Sequence, residues 1–352
     1  MTSPRLRWQK LPASQLLSDT PLRAQWDVLN ASRSVLPFLT SYAVAAALRV
    51  FGTGGERLFI GHSGAQPVAM FVLQRCGFAR WQTFQPSQLP LGVWVAEPDQ
   101  SLRTMAQDLL HHALGAALVF SVTQIDPLVA PREDDGPSWT STDYVETGWI
   151  DIEGSFDDYW AQRGKNLRSG MRKQRNKLAA EGLTTQMRLL DSPTDMAPAL
   201  ARYGKLESAG WKAGNGTAIH PGNDQGKFYT ELLEAAAAQG EAAVYEYYFG
   251  ESHVASNLCL CRNGRLIVLK TTYDETVDKS LSPGFLLQQD EMEMFFGRKM
   301  FHRLEYFGRF MEWHSRWTEK KRTLHHLTSY RRAWLKQFAQ RRRQAEPLEL
   351  QH

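Results

Sequence analysis

Residues 266–284 read LIVLKTTYDETVDKSLSPG, and the next run, 285–297, reads FLLQQDEMEMFFG. An apolar, β-prone stretch ends at Tyr273-Asp274. A short polar loop leads to Ser282-Pro283-Gly284, and an amphipathic segment begins. Strand, small-residue turn and helix in that order present backbone N–H groups at a helix start, where phosphate is favoured. Pro283 suits the first helical turn because it has no N–H to leave unpaired, and Ser282 is placed to cap. An ordinary strand–turn–helix joint reads the same way, so the surrounding segments decide.

Working outward, residues 242–273 hold three strand-like runs, AAVYEYYFG, HVASNLCLC and RLIVLKTTY. Two helical runs, DMAPALARYGKLESAG and QGKFYTELLEAAAAQG, precede them, with strand-like TTQMRLL before those. MFHRLEYFG and TLHHLTSYR come after the helix as strands. The first half shows the same order: strand, two helices, three strands, helix, two strands. It carries one extra strand-like piece, LGVWVAE. No residue-level repeat accompanies this pattern. The mixed order predicts an α/β (α+β) fold with a mixed, mostly antiparallel sheet and helices on its faces. DPLVAPREDDGPSWTST reads as a surface loop in the first half. The expected division is 1–153, a connecting basic segment 154–182, and 183–352.

In the connecting segment, Phe156, Trp160, Leu167, Met171 and Leu178 form one apolar stripe, predicting a single long helix. Ser155 caps it and Gly182 stops it. Arg163, Lys165, Arg168, Arg172, Lys173, Arg175 and Lys177 occupy its other faces, with no acid between Asp158 and Glu181. A solvated face normally mixes signs, so this run points to an anionic partner such as a phosphate, a nucleotide sugar or an RNA backbone.

The 352 residues are 43% hydrophobic and 22% charged, with a formal net charge of +4. That is a globular composition with length for about two domains. Cys76, Cys259 and Cys261 are an odd count and include no CxxC pair, which argues for reduced core thiols and against a zinc site. No apolar run reaches a membrane span, and the N-terminus lacks a signal-peptide core, so the expected location is cytoplasmic. The basic tail SYRRAWLKQFAQRRRQ reads either as a docked terminal helix or as a contact for an anionic membrane surface or nucleic acid.

Four segments together resemble the FemAB-like, CelD-like (polysaccharide-biosynthesis) branch of the GNAT acyltransferase superfamily. They are KNLRSGMRKQRNKLAAEG, ESAGWKAGNGTAI, LIVLKTTYDETVDKSLSPGFLL and RLEYFGRFMEWHSRWT. The resemblance covers roughly residues 150–335 and the first half only by element order. It implies tandem GNAT-like subdomains sharing a cleft. It also implies acyl transfer, from acyl-CoA (acetyl-CoA first) and without a metal, to an amine or hydroxyl of a sugar, polysaccharide or envelope precursor. His314 departs from the family pattern, standing where relatives often carry lysine.

Thioester chemistry needs a held donor, a proton acceptor and a donor to the oxyanion. Ser282, Gly284, Phe285 and Leu286 are the expected donor-binding residues, and the first half has no equivalent turn. Glu305 is the first candidate base. Asp274 is placed to accept a proton or to cap its loop, and Tyr273 to protonate a leaving thiolate. Lys270, in an apolar run, is expected to face the cavity. Trp211, Lys212, Arg168, Arg172, His314 and Trp317 are candidate substrate contacts. Two alternatives stand beside this reading: an aminoacyl-tRNA-dependent FemAB-type peptidyltransferase, and a non-catalytic GNAT scaffold that binds a nucleotide sugar or a polysaccharide-synthase partner.

Overall fold

The computed structural model describes residues 5–209 and 219–345. Two compact units emerge. One comprises the chain up to Val145 together with the chain from Thr323 onward; the other is Glu146–Arg322. The linear division expected from the sequence therefore changes at both borders. The second unit takes in the basic segment, and the chain beyond Arg322 returns to the first.

The first unit opens with β1 (Arg7–Pro12), α1 (Thr20–Arg33) and α2 (Ser41–Phe51). Next come β2 (Arg57–Ser63), β3 (Gln66–Gly77), β4 (Arg80–Thr83), β5 (Trp94–Ala96), α3 (Leu102–His112) and β6 (Val119–Ile125). Asp19, Thr40 and Ser101 start α1, α2 and α3 by accepting backbone N–H bonds at the helix N-termini. The strands lie in the order β1-β2-β3-β4-β6, with β5 against β3; among the described residues of this unit, only β4 and β6 pair in parallel. The strand Lys321–Tyr330 pairs with β6 through His325–Tyr330, which is why the end of the chain belongs here. Its core is aromatic: Phe71 stacks on Trp94 at 5.8 Å and meets Phe120 edge-on at 6.4 Å.

The chain enters the second unit inside β7 (Trp139–Asp151). There follow α4 (Phe156–Ala161), α5 (Lys165–Ala180), β8 (Thr185–Leu190), α6 (Pro193–Ala209), α7 (Asp224–Ala237), β9 (Ala242–Phe249), β10 (Ser252–Arg262) and β11 (Arg265–Tyr273). The unit closes with α8 (Pro283–Arg298), β12 (Arg303–Tyr306) and the short α9 (Glu312–Ser315). The strand Lys321–Tyr330 is β13, and α10 (Ala333–Ala345) comes after it. Strand order is β7-β12-β11-β10-β9-β8, and again one pair, β11 with β12, is parallel.

The single long helix expected over 155–182 is two helices. Ser155 caps the first as expected, its Oγ accepting from Asp158 N–H at 3.1 Å. The break comes at Gly164, whose backbone is extended (ψ 140°), ahead of α5. Leu167, Met171 and Leu178 still face the core, so the apolar stripe survives the break. Several of the bases have structural partners. Arg175 pairs with Asp290 of α8 and donates to Tyr247 Oη (2.9 Å), and Lys177 reaches Asp278 (2.6 Å) and Ser280 (2.8 Å).

One irregularity decides which side chains of β11 face α8. Leu258 sits opposite Lys270, but the next residue, Cys259, sits opposite Val268. Leu269 is thus an extra residue, a β-bulge that reverses the alternation of the strand. Leu266, Val268, Thr271 and Tyr273 share the face toward α8; Ile267, Lys270 and Thr272 share the other.

Candidate functional site

A cavity of about 480 Å³ opens between β10, β11, the start of α8 and the end of β12. Val268, Thr271 and Tyr273 form one wall, and Leu304, Tyr306 and Trp313 another. Gly284, Gln288 and Glu291 form a third. These last three stand at i, i+4 and i+7, so one face of α8 lines the cavity.

Glu291 is the chemically distinctive group. It is 1% exposed, and Asn257 Nδ2 donates to both of its carboxylate oxygens at 2.9 Å. Burial raises its pKa to about 8; the Asn257 bond works against the rise, and the neighbouring Asp290 charge adds to it. The other end of the same amide, Asn257 Oδ1, is buried without a hydrogen-bond partner among the described residues. A buried acceptor in that state is costly unless a ligand supplies a donor. One turn before Glu291, Gln288 Nε2 donates to Tyr306 Oη, leaving the Tyr306 hydroxyl proton to point elsewhere. Burial raises the Tyr306 pKa well above the ordinary phenol value, so the hydroxyl stays protonated.

The helix start differs from the expectation. Ser282 occupies the N-cap position but makes no side-chain cap bond. Its N–H donates to Gln174 Oε1 (2.7 Å), while the N–H groups of Phe285 and Leu286 both donate to Ser282 O (3.0 Å each). Pro283 has no N–H. Among the described residues, Gly284 N–H alone at this turn has no partner, so the row of amides narrows to one. Ser282, Gly284 and Phe285 line the cavity, whereas Leu286 is fully buried in the core. A Cβ on Gly284 would meet only Tyr273 at 3.6 Å, so the protein itself leaves room there.

Tyr273 and Asp274 stand at the mouth. The Asp274 carboxylate caps its own loop, accepting from Thr276 N–H (2.8 Å) and Oγ1 (2.7 Å). Glu305 lies elsewhere: Leu304 and Tyr306 face the cavity, and alternation turns Glu305 to the opposite face. There it is 1% exposed, with Arg322 Nη2 at 2.7 Å and Arg303 Nη1 at 3.7 Å.

Lys270 also misses the cavity, because the bulge turns it toward α6 and α7. It donates to Gln225 Oε1 (3.0 Å) and lies 3.8 Å from Glu207. His314 is buried among aromatic rings, stacked on Trp313 at 3.5 Å, and its Nδ1 accepts from Met311 N–H (2.8 Å). Burial lowers its pKa to about 4, so it is neutral and holds the turn into α9. Trp317 is fully buried between Trp160 and Phe285. Arg168 and Arg172 are exposed, Arg168 donating to Arg163 O (3.0 Å). Trp211 and Lys212 lie outside the described residues.

Asn257, Gln288 and Glu291 were not foreseen. The signal was present: Gln288 and Glu291 interrupt an apolar helix at the spacing that continues from Gly284.

Residues 165–308 match the family model described as an acetyltransferase (GNAT) domain. That segment is similar to GNAT acetyltransferase domains. Solved structures extend the likeness over most of the chain. FemX is 8% identical with a TM-score of 0.56, covering 94% of this chain and 99% of that one. The C-terminal domain of a protein described as a lysylphosphatidylglycerol synthetase, from Agrobacterium fabrum, is 12% identical with a TM-score of 0.56, covering 92% and 97%. L-PGS from Bacillus licheniformis is 13% identical with a TM-score of 0.51, covering 88% and 91%. At these identities the likeness is one of fold; together with the family match it bears out the GNAT superfamily, FemAB-like resemblance read from the sequence. No curated protein sequence matches the chain.

Proposed function

We propose that this GNAT protein transfers an acyl group, acetyl in the first instance, from acyl-CoA to an amine or hydroxyl of a sugar, polysaccharide or envelope precursor. The observation that supports this most is the buried Glu291–Asn257 pair on the wall of a cavity inside the acetyltransferase segment. Asn257 Oδ1 receives an N–H or O–H of the acceptor and aligns it beside Glu291. The ionised Glu291 takes the nucleophile's proton as the new bond forms at the thioester carbon. Tyr306, a neutral hydroxyl with its proton unused by Gln288, donates to the developing oxyanion. The carbon–sulfur bond then breaks, and Glu291 passes the same proton to the thiolate. The sum is acceptor plus acyl-CoA giving acylated acceptor plus free CoA, with no net proton stored on the protein. Gly284 N–H at the mouth is the donor for an oxygen of the CoA diphosphate.

The test is release of free thiol from acetyl-CoA in the presence of amine and sugar acceptors, together with thermal stabilisation by CoA. Stabilisation by CoA that survives filling of the cavity by Thr271→Trp, in a variant that folds, would refute the site.

A further inference from the structure

One end of the first unit's sheet carries a face that acyl transfer leaves unused. Three segments meet there through backbone bonds. Ala79 O accepts from Leu118 N–H (2.7 Å), and Leu118 O accepts from Arg331 N–H (2.9 Å). They span two strand spacings, roughly 10 Å. Phe78, at the tip of the β3–β4 turn, is 97% exposed, and Leu118 is 37% exposed. Just beyond Arg331, α10 presents Trp334 (62%) and Phe338 (57%), four residues apart and so on one side of the helix.

This helix is held in place. The Arg331 guanidinium donates to the carbonyls of Leu110, Gly115 and Ala117. The buried Lys336 ammonium donates to Asp135 and to the carbonyls of Gly136 and Trp139. The exposed rings are therefore presented by a docked element. The three segments themselves carry charge of one sign, and the nearby Asp135 carboxylate is taken up by Lys336. Arg80, Arg332 and Arg341 are exposed, and residues 71–85, 113–122 and 328–341 contain no Asp or Glu. A group of large apolar side chains in water, on segments whose charges are all positive, marks a surface that meets something.

We propose that this face seats the first unit on an anionic lipid surface. Phe78 and Trp334 enter the headgroup layer, and the arginines meet lipid phosphates. A track for single-stranded nucleic acid places cations along a groove with aromatic faces open for stacking. Here the apolar tips project from the same segments that carry the exposed arginines, the order of an interfacial anchor. The proposal does not depend on the acyl-transfer reading.

The experiment is co-sedimentation of the full chain with phosphatidylcholine vesicles, with and without phosphatidylglycerol. Binding is expected only to the anionic vesicles, and salt weakens it. Arg332→Glu and Arg341→Glu each lower it about fivefold or more, and Phe78→Ser combined with Trp334→Ser lowers it about tenfold or more. Because these substitutions touch the surface, each variant keeps the wild-type melting temperature. A second readout guards against a folding defect: brominated lipid quenches tryptophan fluorescence, and Trp334→Phe, a conservative change, removes that quenching. No sedimentation with anionic vesicles, binding indifferent to these substitutions, or displacement by tRNA would each overturn the proposal, the last by making the face a nucleic-acid surface.

Discussion

In the first unit the parallel strands β4 and β6 part after Gln82 and Ser121, and the gap between them is closed at once. The hydroxyls of Thr83 and Thr123 bond across it at 2.7 Å, and Gly92 N–H bonds to Thr123 O at 3.0 Å. Gly92 is needed there, since a Cβ would stand 2.4 Å from Thr83 Oγ1 and 2.6 Å from Thr123 O. In the second unit β11 and β12 part after Val268 and Tyr306, and the gap stays open as the cavity. The difference lies in the segment that leaves the strand. The first unit sends residues 84–96 back across the gap and packs Trp81, Trp94 and Phe120 beside it; the second runs through a polar loop directly into α8. One arrangement of elements thus gives a filled core in one place and a site in the other, according to a short insert.

The largest expected effect concerns the group that only the open gap possesses. Glu291→Gln should lower acyl transfer about 10²–10⁴-fold while CoA still stabilises the protein. Equal loss of both would show that Glu291 maintains the cavity and takes no part in the chemistry. Unpacking the closed gap comes next. Trp81→Ala should cost about 3–5 kcal/mol in urea unfolding, as buried aromatic truncations do, without creating CoA binding in the first unit. Third, CoA at 100 times its dissociation constant should stabilise the wild type by about 2.7 kcal/mol, and Gly284→Asp should abolish this by placing a carboxylate against the diphosphate. Full protection of the variant would move the donor elsewhere.

The effect that is smallest at any one step is a pH dependence, since it is spread over several pH units. The ordinary Glu value is 4.5, and Glu291 is raised to about 8. Between those values the folded chain holds a proton that the unfolded chain has lost. Stability therefore falls as pH rises through this window, by at most about 1.4 kcal/mol per unit, and levels off above it. Glu291→Gln should flatten that slope. Wild-type activity, which needs the ionised form, should rise toward a midpoint near 8.

Much of this was legible in the sequence because element order is written in periodicity and punctuation. Ser155 and Ser101 announce helices, and the segment 266–297 announces strand, turn and helix. The GNAT resemblance rested on four segments, of which that stretch is one. The site was less legible, for reasons of parity. Counting alternate residues from Leu266 puts Lys270 in the cavity, and no residue of LIVLKTTY betrays the extra Leu269. Glu305 stood out as an acid at a strand end, yet its neighbours are the cavity residues. The single helix over 155–182 fails at Gly164, where a stripe of apolar residues hides a change in backbone. Finding Glu291 required reading α8 as a wheel from Gly284, not as a uniformly amphipathic run.

The extra residue in β11 works as a phase setting. Were Leu269 drawn into the ladder opposite Leu258, every side chain beyond it would change sides. Lys270 and Thr272 would then face the cavity, and Thr271 and Tyr273 would leave it. A hollow bordered by hydroxyls would gain a fixed positive charge near a carboxyl that currently resists ionisation. Excising Leu269 would instead leave every side chain on its present side, since Val268 and Lys270 already face consecutive residues of β10. The preference of the cavity for its guest is in that sense keyed to one residue that stands out of the ladder.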